Sequence, residues 1–435
     1  MLDTLIKHVT AVTMDDEHHV YTDAFIGIKN GKITYVGKDE PDAPANTVID
    51  GTGMIAMPGL VNTHAHAAMA LMRGYADDYA LQEWLHEHVF PVEGRLNGND
   101  IYWAMLWAQA EMLATGTIAY TDMYMQLPSM AKAAVDGGLY ANVSNGAMCF
   151  DPAGYNFDTD GVMAQNLEVL EKYHGADNGR VKLDVSIHAE YTSFPGLWQD
   201  FSRFAKENGL NMHIHLSETR SEHENCVEKY GKTPTAILAE NGVFDTRTTA
   251  AHCVWITEED MAILKEKNVT VAHNPVSNLK LASGIAPVAK MFEKGVRVAL
   301  GTDGVCSNNN HDLFEEIKLA ALLQKGVNYD PRLMPAYRAL WMATRAGAFA
   351  QGREQEIGQL TVGFDASLIL IDTEKPGLYP VHNPVSTLAY SVRGGDVSLT
   401  MIRGKVLYEN GRYTELDIEQ IREKLFPILH RIFNA

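Results

Sequence analysis

Met57-Pro58-Gly59-Leu60-Val61-Asn62-Thr63-His64-Ala65-His66 is an apolar run that ends in two histidines spaced i, i+2. On a β-strand that spacing turns both imidazoles to one face, so the strand end can offer two nitrogen ligands to one metal ion. Upstream of it, short strands joined by tight turns are expected at residues 5–13, 24–29 and 32–36, with Asn30-Gly31 as a hairpin turn between the last two. Downstream, apolar strand-like runs alternate with helical patterns, as in repeated β/α units around a parallel sheet. The strand candidates are residues 55–63, 116–122, 141–147, 181–187, 211–216, 249–252, 269–273 and 296–302, with helices such as 100–115, 257–268 and 313–325 between or after them. Eight such strands predict an α/β fold, a (β/α)8 TIM-like barrel.

From residue 358 the pattern reverts to β, at 366–372, 397–403 and 405–409, before a terminal helix over 417–433. β segments at both ends that cannot bury themselves alone are expected to pack together. The predicted organisation is therefore a discontinuous small β-sandwich domain from residues 1–57 plus 358–435, around a metal-dependent hydrolase barrel from 58–357.

With 435 residues and 46% hydrophobic content, the chain can fill a large core. Its formal charge of −19 argues against nucleic acid or anionic membrane as partners. The start shows no basic stretch followed by an apolar one, and no run is long enough to cross a bilayer, so a cytoplasmic protein is expected. Cys149, Cys226, Cys253 and Cys306 are widely scattered, which suits free thiols in a reducing compartment and no disulfide framework.

In a parallel barrel the active site lies at the carboxyl ends of the strands. Counted along the chain, His64 and His66 end the first strand, His188 the fifth, His215 the sixth, His252 the seventh or its equivalent, and Asp303 the last. Three imidazoles and one carboxylate can hold a divalent metal while leaving a position for water, as hydrolysis requires. Other histidines have plainer readings. His86-Glu87-His88 repeats the spelling on a helical stretch, where residues two apart diverge. His213 shares the face of His215 but sits deeper, His273 supports the Asn274-Pro275 turn, and His18, His19 and His223 read as exposed. Met69, Leu71, Met72 and Trp84 read as an apolar wall or as ordinary core.

Taken together, Pro58 to His66, His213-Ile214-His215-Leu216-Ser217-Glu218-Thr219, Ala251-His252-Cys253, His273-Asn274-Pro275-Val276-Ser277-Asn278 and Gly301-Thr302-Asp303-Gly304 resemble the amidohydrolase superfamily over nearly the whole chain. Met72-Arg73-Gly74, Glu83-Trp84-Leu85 and Pro91-Val92-Glu93 before Arg95 look like its branch of 5-methylthioadenosine/S-adenosylhomocysteine deaminases. The resemblance implies one zinc ion, with Fe2+ or Mn2+ as alternatives, held by His64, His66, His215 and Asp303. It implies Glu218 as proton shuttle, His252 as a catalytic histidine outside the ligand set, and Glu93 and His188 as ribose-side substrate contacts. The activity implied is hydrolytic deamination of a 6-aminopurine nucleoside, a small-molecule partner, by a homo-oligomer.

Asp303 can both ligate the metal and accept the water proton, and Glu218, on the turn after the sixth strand, can protonate the ring nitrogen beside the attacked carbon. The 141–147 segment, counted as the fourth strand, contains no lysine to bridge a second metal, which favours a single ion. Two other readings remain: a free-base or pterin deaminase or triazine hydrolase on the same scaffold, and a non-enzymatic metal-binding barrel.

Overall fold

The computed structural model describes residues 1–433, the side chain of Gln82 excepted; Asn434 and Ala435, the last two residues of the expected end domain, lie outside the described residues. Two nine-stranded sheets organise them. The first draws on both chain ends. Leu2–Val12, Val20–Lys29, Lys32–Gly37, Ala45–Asp50 and Met54–Pro58 join Leu368–Asp372, Val397–Ile402, Lys405–Glu409 and Arg412–Tyr413. The two ends meet where Met54–Pro58 pairs antiparallel with Leu368–Asp372, from Pro58 opposite Leu368 to Met54 opposite Asp372. Ile6, Val9, Ile26, Ile28, Leu368, Leu370 and Met401 form a common buried core, so the segments from each end supply the apolar face that the other lacks. Ala45–Asp50 escapes the sequence reading because it is mostly exposed and pairs only with Leu2–Val12. It therefore has no alternating apolar face to betray it.

The second sheet is the expected barrel. Its order is Leu60–Ala65, Thr117–Tyr124, Tyr140–Ala147, Val185–Ile187, Met212–Leu216, Thr248–His252, Thr270–His273 and Arg297–Leu300, with Val181–Leu183 paired beside Tyr140–Ala147. The neighbouring pairs described from Tyr140–Ala147 to Arg297–Leu300 are parallel. Predicted strand 181–187 is broken at Asp184, whose carboxylate accepts from Asn142 Nδ2 at 3.0 and 3.1 Å. The ring closes where the last strand returns to the first. Thr63 Oγ1 donates to Leu300 O at 2.8 Å, Asp303 N donates to His64 O at 2.9 Å, and Ala65 and Asp303 form a parallel bridge.

The strand count corrects the sequence numbering by one. His188 follows the fourth strand, His215 lies on the fifth and His252 on the sixth. The one-ion argument thus has to be made on residues 181–187 and not on 141–147. Lys182 is at the amino end of that segment, while its carboxyl end reads Ser186-Ile187-His188 and offers no lysine.

Contacts divide the chain into two compact units, one of Met1–Asn62, Ala110–Ala119 and Asp312–Asp417, the other of Thr63–Gln109, Tyr120–His311 and Ile418–Ala435. Every histidine and carboxylate singled out above as a metal or substrate group falls in the second. Among the described residues no helix is long and apolar enough to cross a membrane.

Gly301 is needed at the closing seam. A Cβ there would lie 2.5 Å from Asn274 Oδ1, 2.8 Å from His64 N and 2.9 Å from His64 Cβ, distances no side chain tolerates without displacing backbone. Gly301→Ala is expected to destabilise the fold by about 1–3 kcal/mol in urea unfolding, far more than a glycine-to-alanine change at Gly161, where nothing lies within 4 Å.

Candidate active site

The barrel strands deliver four groups to one point. On Leu60–Ala65 and just beyond it, His64 and His66 turn to the same side, and on Met212–Leu216 His215 does likewise. His66 Nε2 lies 3.2 Å from His215 Nε2, and Asp303 Oδ1 lies 3.3 Å from both His64 Nε2 and His66 Nε2. Carbonyl oxygens decide how the imidazoles are protonated. His215 Nδ1 donates to His188 O at 2.7 Å and His66 Nδ1 donates to Met123 O. In the neutral rings this leaves both Nε2 atoms as lone pairs pointing at each other. Behind them, His213 Nε2 meets His64 Nδ1 at 2.9 Å, so the deeper histidine sits against a ligand candidate, as its register implies.

Lone pairs and a carboxylate oxygen at such distances repel unless a cation lies among them. Bonds of about 2.0–2.1 Å from a tetrahedral zinc-type ion to nitrogen imply ligand–ligand edges of about 3.3 Å. The observed separations match that edge, so these residues fit a divalent cation. Burial and Asp303 act in opposite senses on the two rings of the first strand end. Burial pushes the His64 ring down to about 4 despite Asp303, whereas in His66 the hydrogen bond and charge of Asp303 outweigh burial and raise it to about 9. Asp303 is ready to ligate through Oδ1 because Oδ2 is occupied by the hydroxyls of Ser277, at 2.6 Å, and Ser307, at 3.0 Å.

His252 comes within the same 4.8 Å circle as His64 and His215. Its Nδ1 donates to Asn278 Oδ1 at 2.8 Å, and its Nε2 faces Glu218 Oε2 at 3.8 Å. Glu218 is buried, and burial pushes its carboxyl group up against the opposing charge of His252. Glu222 fixes the turn that carries Glu218: its carboxylate accepts from the backbone N–H groups of Ser217 at 2.8 Å and Glu218 at 2.7 Å. Ser217, His252, Cys253 and Asp303 all have positive φ, at 46°, 71°, 49° and 61°. Such left-handed conformations cost a non-glycine residue roughly 1 kcal/mol or more each and cluster where side chains must be aimed.

His66, His215, Glu218, His252 and Asp303 line one cavity. Glu93 reaches it from the short helix Phe90–Glu93; it is only 7% exposed, and burial raises its carboxyl pKa against the pull of Tyr124 and His66. His188 lines it too, with Nδ1 3.1 Å from Thr192 Oγ1, and burial together with the neighbouring histidines lowers the ring to about 3, so it is neutral. Met69, Trp84, Leu85, Phe90, Met123 and Met148 supply apolar wall, a mix of apolar and polar lining suited to a planar organic molecule. Of the four residues read as wall or core, Met69 and Trp84 are wall, while Leu71 and Met72 are buried and are not among the lining residues.

The decoy histidines stay apart. His86 is exposed with its ring edge on Phe90, and His88 stacks on Tyr79. His223 is half-buried, with Nδ1 3.2 Å from Ser217 Oγ, where an exposed residue is expected. Its position after the strand-to-helix turn explains the difference. Sequence reasoning passed over Asp122, fully buried on the second strand, whose Oδ1 accepts from the Ala67 N–H at 2.9 Å. It also passed over the roles of Ser277, Asn278 and Ser307. A polar residue on an otherwise wholly buried strand is the signal for Asp122; the serines carry none.

Comparison with known proteins agrees with this architecture. The model of the Amidohydrolase family matches residues 55–407. A protein of Thermoanaerobacter pseudethanolicus named 5-methylthioadenosine/S-adenosylhomocysteine deaminase is 42% identical over 420 residues, covering 97% of each chain. A 5'-deoxyadenosine deaminase of Methanosarcina acetivorans is 43% identical over 425 residues, covering 98% of this chain and 97% of its own. Among solved structures, an adenosine deaminase from Xanthomonas campestris with bound zinc superposes with a TM-score of 0.92 at 30% identity, covering 100% of this chain and 99% of its own.

If Ser277 and Ser307 hold the Asp303 carboxylate in its ligating pose, removing them loosens the ion and spares the fold. Ser277→Ala with Ser307→Ala is expected to weaken divalent-cation binding by about 10- to 100-fold, read by competition with a chromophoric chelator, with far-ultraviolet circular dichroism unchanged.

Proposed function

We propose, since this chain belongs to the amidohydrolase family, that it is a zinc-dependent aminohydrolase that converts a 6-aminopurine nucleoside of the 5'-methylthioadenosine, S-adenosylhomocysteine, adenosine or 5'-deoxyadenosine type to its inosine analogue and ammonia. The observation that carries the proposal is the meeting, in one cavity, of a cation cradle with two separate buried carboxyl groups, Glu218 beside the cradle and Glu93 on the opposing helix. A metal-binding barrel without chemistry has no use for a buried acid at Glu218.

The proposed ligands are His64, His66, His215 and Asp303, imidazole nitrogens and a carboxylate oxygen of the kind that zinc takes. Zinc held there supplies Lewis acidity that brings the pKa of a water molecule from about 15.7 towards about 7. Asp303, its Oδ2 held by the two serines, would also serve as the base that takes a proton from the attacking water. Glu218 gives its proton to the purine ring nitrogen next to the carbon under attack, and its raised pKa suits a group that must hold a proton until then. His252, fixed by Asn278, orients the oxygen that becomes the product carbonyl. Glu93 accepts the two vicinal ribose hydroxyls side by side, and neutral His188 offers a further ribose contact. The apolar wall excludes water from the base.

The direct test is ammonia release from each of these nucleosides, and from guanine and a pterin, by the zinc-loaded protein. Turnover of a nucleoside is expected; turnover of only a free base or pterin would reject the nucleoside assignment. Glu218→Gln should lower kcat by about 100- to 10,000-fold while zinc content stays at one ion per chain. Glu93→Gln should act on KM, raising it about 10- to 100-fold for nucleosides and leaving the binding of free adenine unchanged.

A further inference from the structure

One segment after the seventh strand touches three of the groups given roles in the proposed reaction, Asp303, His252 and Glu218. Within the stretch from Asn274 to Ser283, Ser277 Oγ donates to Asp303 Oδ2 at 2.6 Å, Asn278 Oδ1 accepts from His252 Nδ1 at 2.8 Å, and Ser283 Oγ donates to Glu218 Oε1 at 3.1 Å. The last of these contacts has no part in the roles assigned so far. Ser283 is 4% exposed and is held in place from its main chain. Its N–H donates to Asn278 O at 2.9 Å, and its carbonyl accepts from Trp255 Nε1 at 2.7 Å. The residues on either side, Ala282 at φ 54° and Gly284 at φ 126°, take left-handed conformations to make the turn. A strained, doubly anchored turn presents one hydroxyl to one oxygen of the carboxyl group.

We infer that Ser283 is a positioning residue for proton transfer: by donating to Oε1 of Glu218 it reserves Oε2 as the oxygen that carries the proton and delivers it to the substrate. The inference rests on the reading of Glu218 as the proton donor. Oε2 is the oxygen that faces His252 Nε2, at 3.8 Å, on the side of the cation cradle. In the step itself the Oε2–H bond breaks, an N–H bond forms at the purine ring nitrogen, and Glu218 is left as a carboxylate while water adds at the neighbouring carbon. The Ser283 hydroxyl then donates to a charged oxygen, where before it donated to the carbonyl oxygen of a neutral acid. Hydrogen bonds to ionised groups are the stronger kind, so this one tightens as the proton leaves and acts on kcat more than on substrate binding.

The test is a double-mutant cycle on the zinc-loaded enzyme. Ser283→Ala is expected to lower kcat by about 10- to 100-fold, with KM changed less than about threefold and zinc content unaltered. Ser283→Thr, which keeps the hydroxyl, should recover most of that loss. In the Glu218→Gln background the same Ser283→Ala change should cost less than about twofold, because the two residues act through one proton. A Ser283→Ala enzyme with wild-type kcat, or an equal loss in both backgrounds, would overturn the inference. Should Glu218→Gln itself retain full activity, the donor assignment falls, and the inference with it, by a result distinct from either. If Ser283→Ala disturbs the turn, Ser283→Cys, which retains a weak donor of similar size, gives the same comparison.

Discussion

Everything in the second unit is arranged around a mutual repulsion. Two imidazole lone pairs are held 3.2 Å apart by carbonyl groups that have taken the N–H on the far side of each ring, and a carboxylate oxygen is placed 3.3 Å from two of the nitrogens. No relaxation of side chains relieves this, because the rings are buried and their outer nitrogens are already engaged. Only a proton or a metal cation among the ligands does. The backbone supports the arrangement at a cost, with left-handed conformations at the ends of the fifth, sixth and eighth strands. Such strain persists only where the surrounding barrel over-determines it.

The layer around the ligands is less conspicuous and as specific. His213 backs His64, the carbonyl of His188 holds both the backbone N–H and the ring of His215, and Ser277 and Ser307 share the far oxygen of Asp303. Each contact fixes a tautomer or a carboxylate rotation, which is how outer groups tune the affinity of a metal site without touching the ion. Glu222 performs the same office for a main chain, holding the turn at Glu218 through two short hydrogen bonds.

How much of this was legible in the sequence depends on the kind of signal. The barrel strands are apolar runs between helices, and their boundaries fall within a few residues of expectation except at the first, where the run 55–63 divides at Gly59 into Met54–Pro58 of the first sheet and Leu60–Ala65 of the barrel. The one-residue interruption at Asp184 lies inside what reads as a single apolar run, whereas the shifted strand count is a matter of numbering: the 181–187 run is the fourth of the eight candidates, although His188 is assigned to the fifth. The histidines and Asp303 announce themselves by type and by position at strand ends. The nearby pair His86 and His88 has the same spelling, and only the helical local pattern separates it from His64 and His66. Glu93 needed the family pattern, since an isolated glutamate near a loop is ordinarily solvated; its burial is a tertiary fact. Ser277 and Asn278 stand in a quoted family motif but without a role, and Ser283 left no trace, because short polar residues after a proline are what any turn contains. Their work depends on which carboxyl group the fold brings opposite them, and that is settled by residues far away in the chain.

The closing seam of the barrel has one more consequence. Thr63 and Leu300, 237 positions apart, meet through a single side-chain bond, and the proposed ligands His64 and Asp303 follow close by, one on the first strand and one just past the last. An ion bound there is therefore a cross-link between the first and last strands, closing a long loop whose entropy must otherwise be met by weak pairing alone. Folding and metal loading become linked equilibria. The stability of the barrel grows with the logarithm of free metal concentration above the dissociation constant, and opening at this seam is the motion by which an empty barrel would first part. The ion is in this sense a structural fastener as well as a reagent, and starving the protein of metal would be felt in amide exchange along Leu60–Ala65 and Arg297–Leu300 before it is felt elsewhere in the ring.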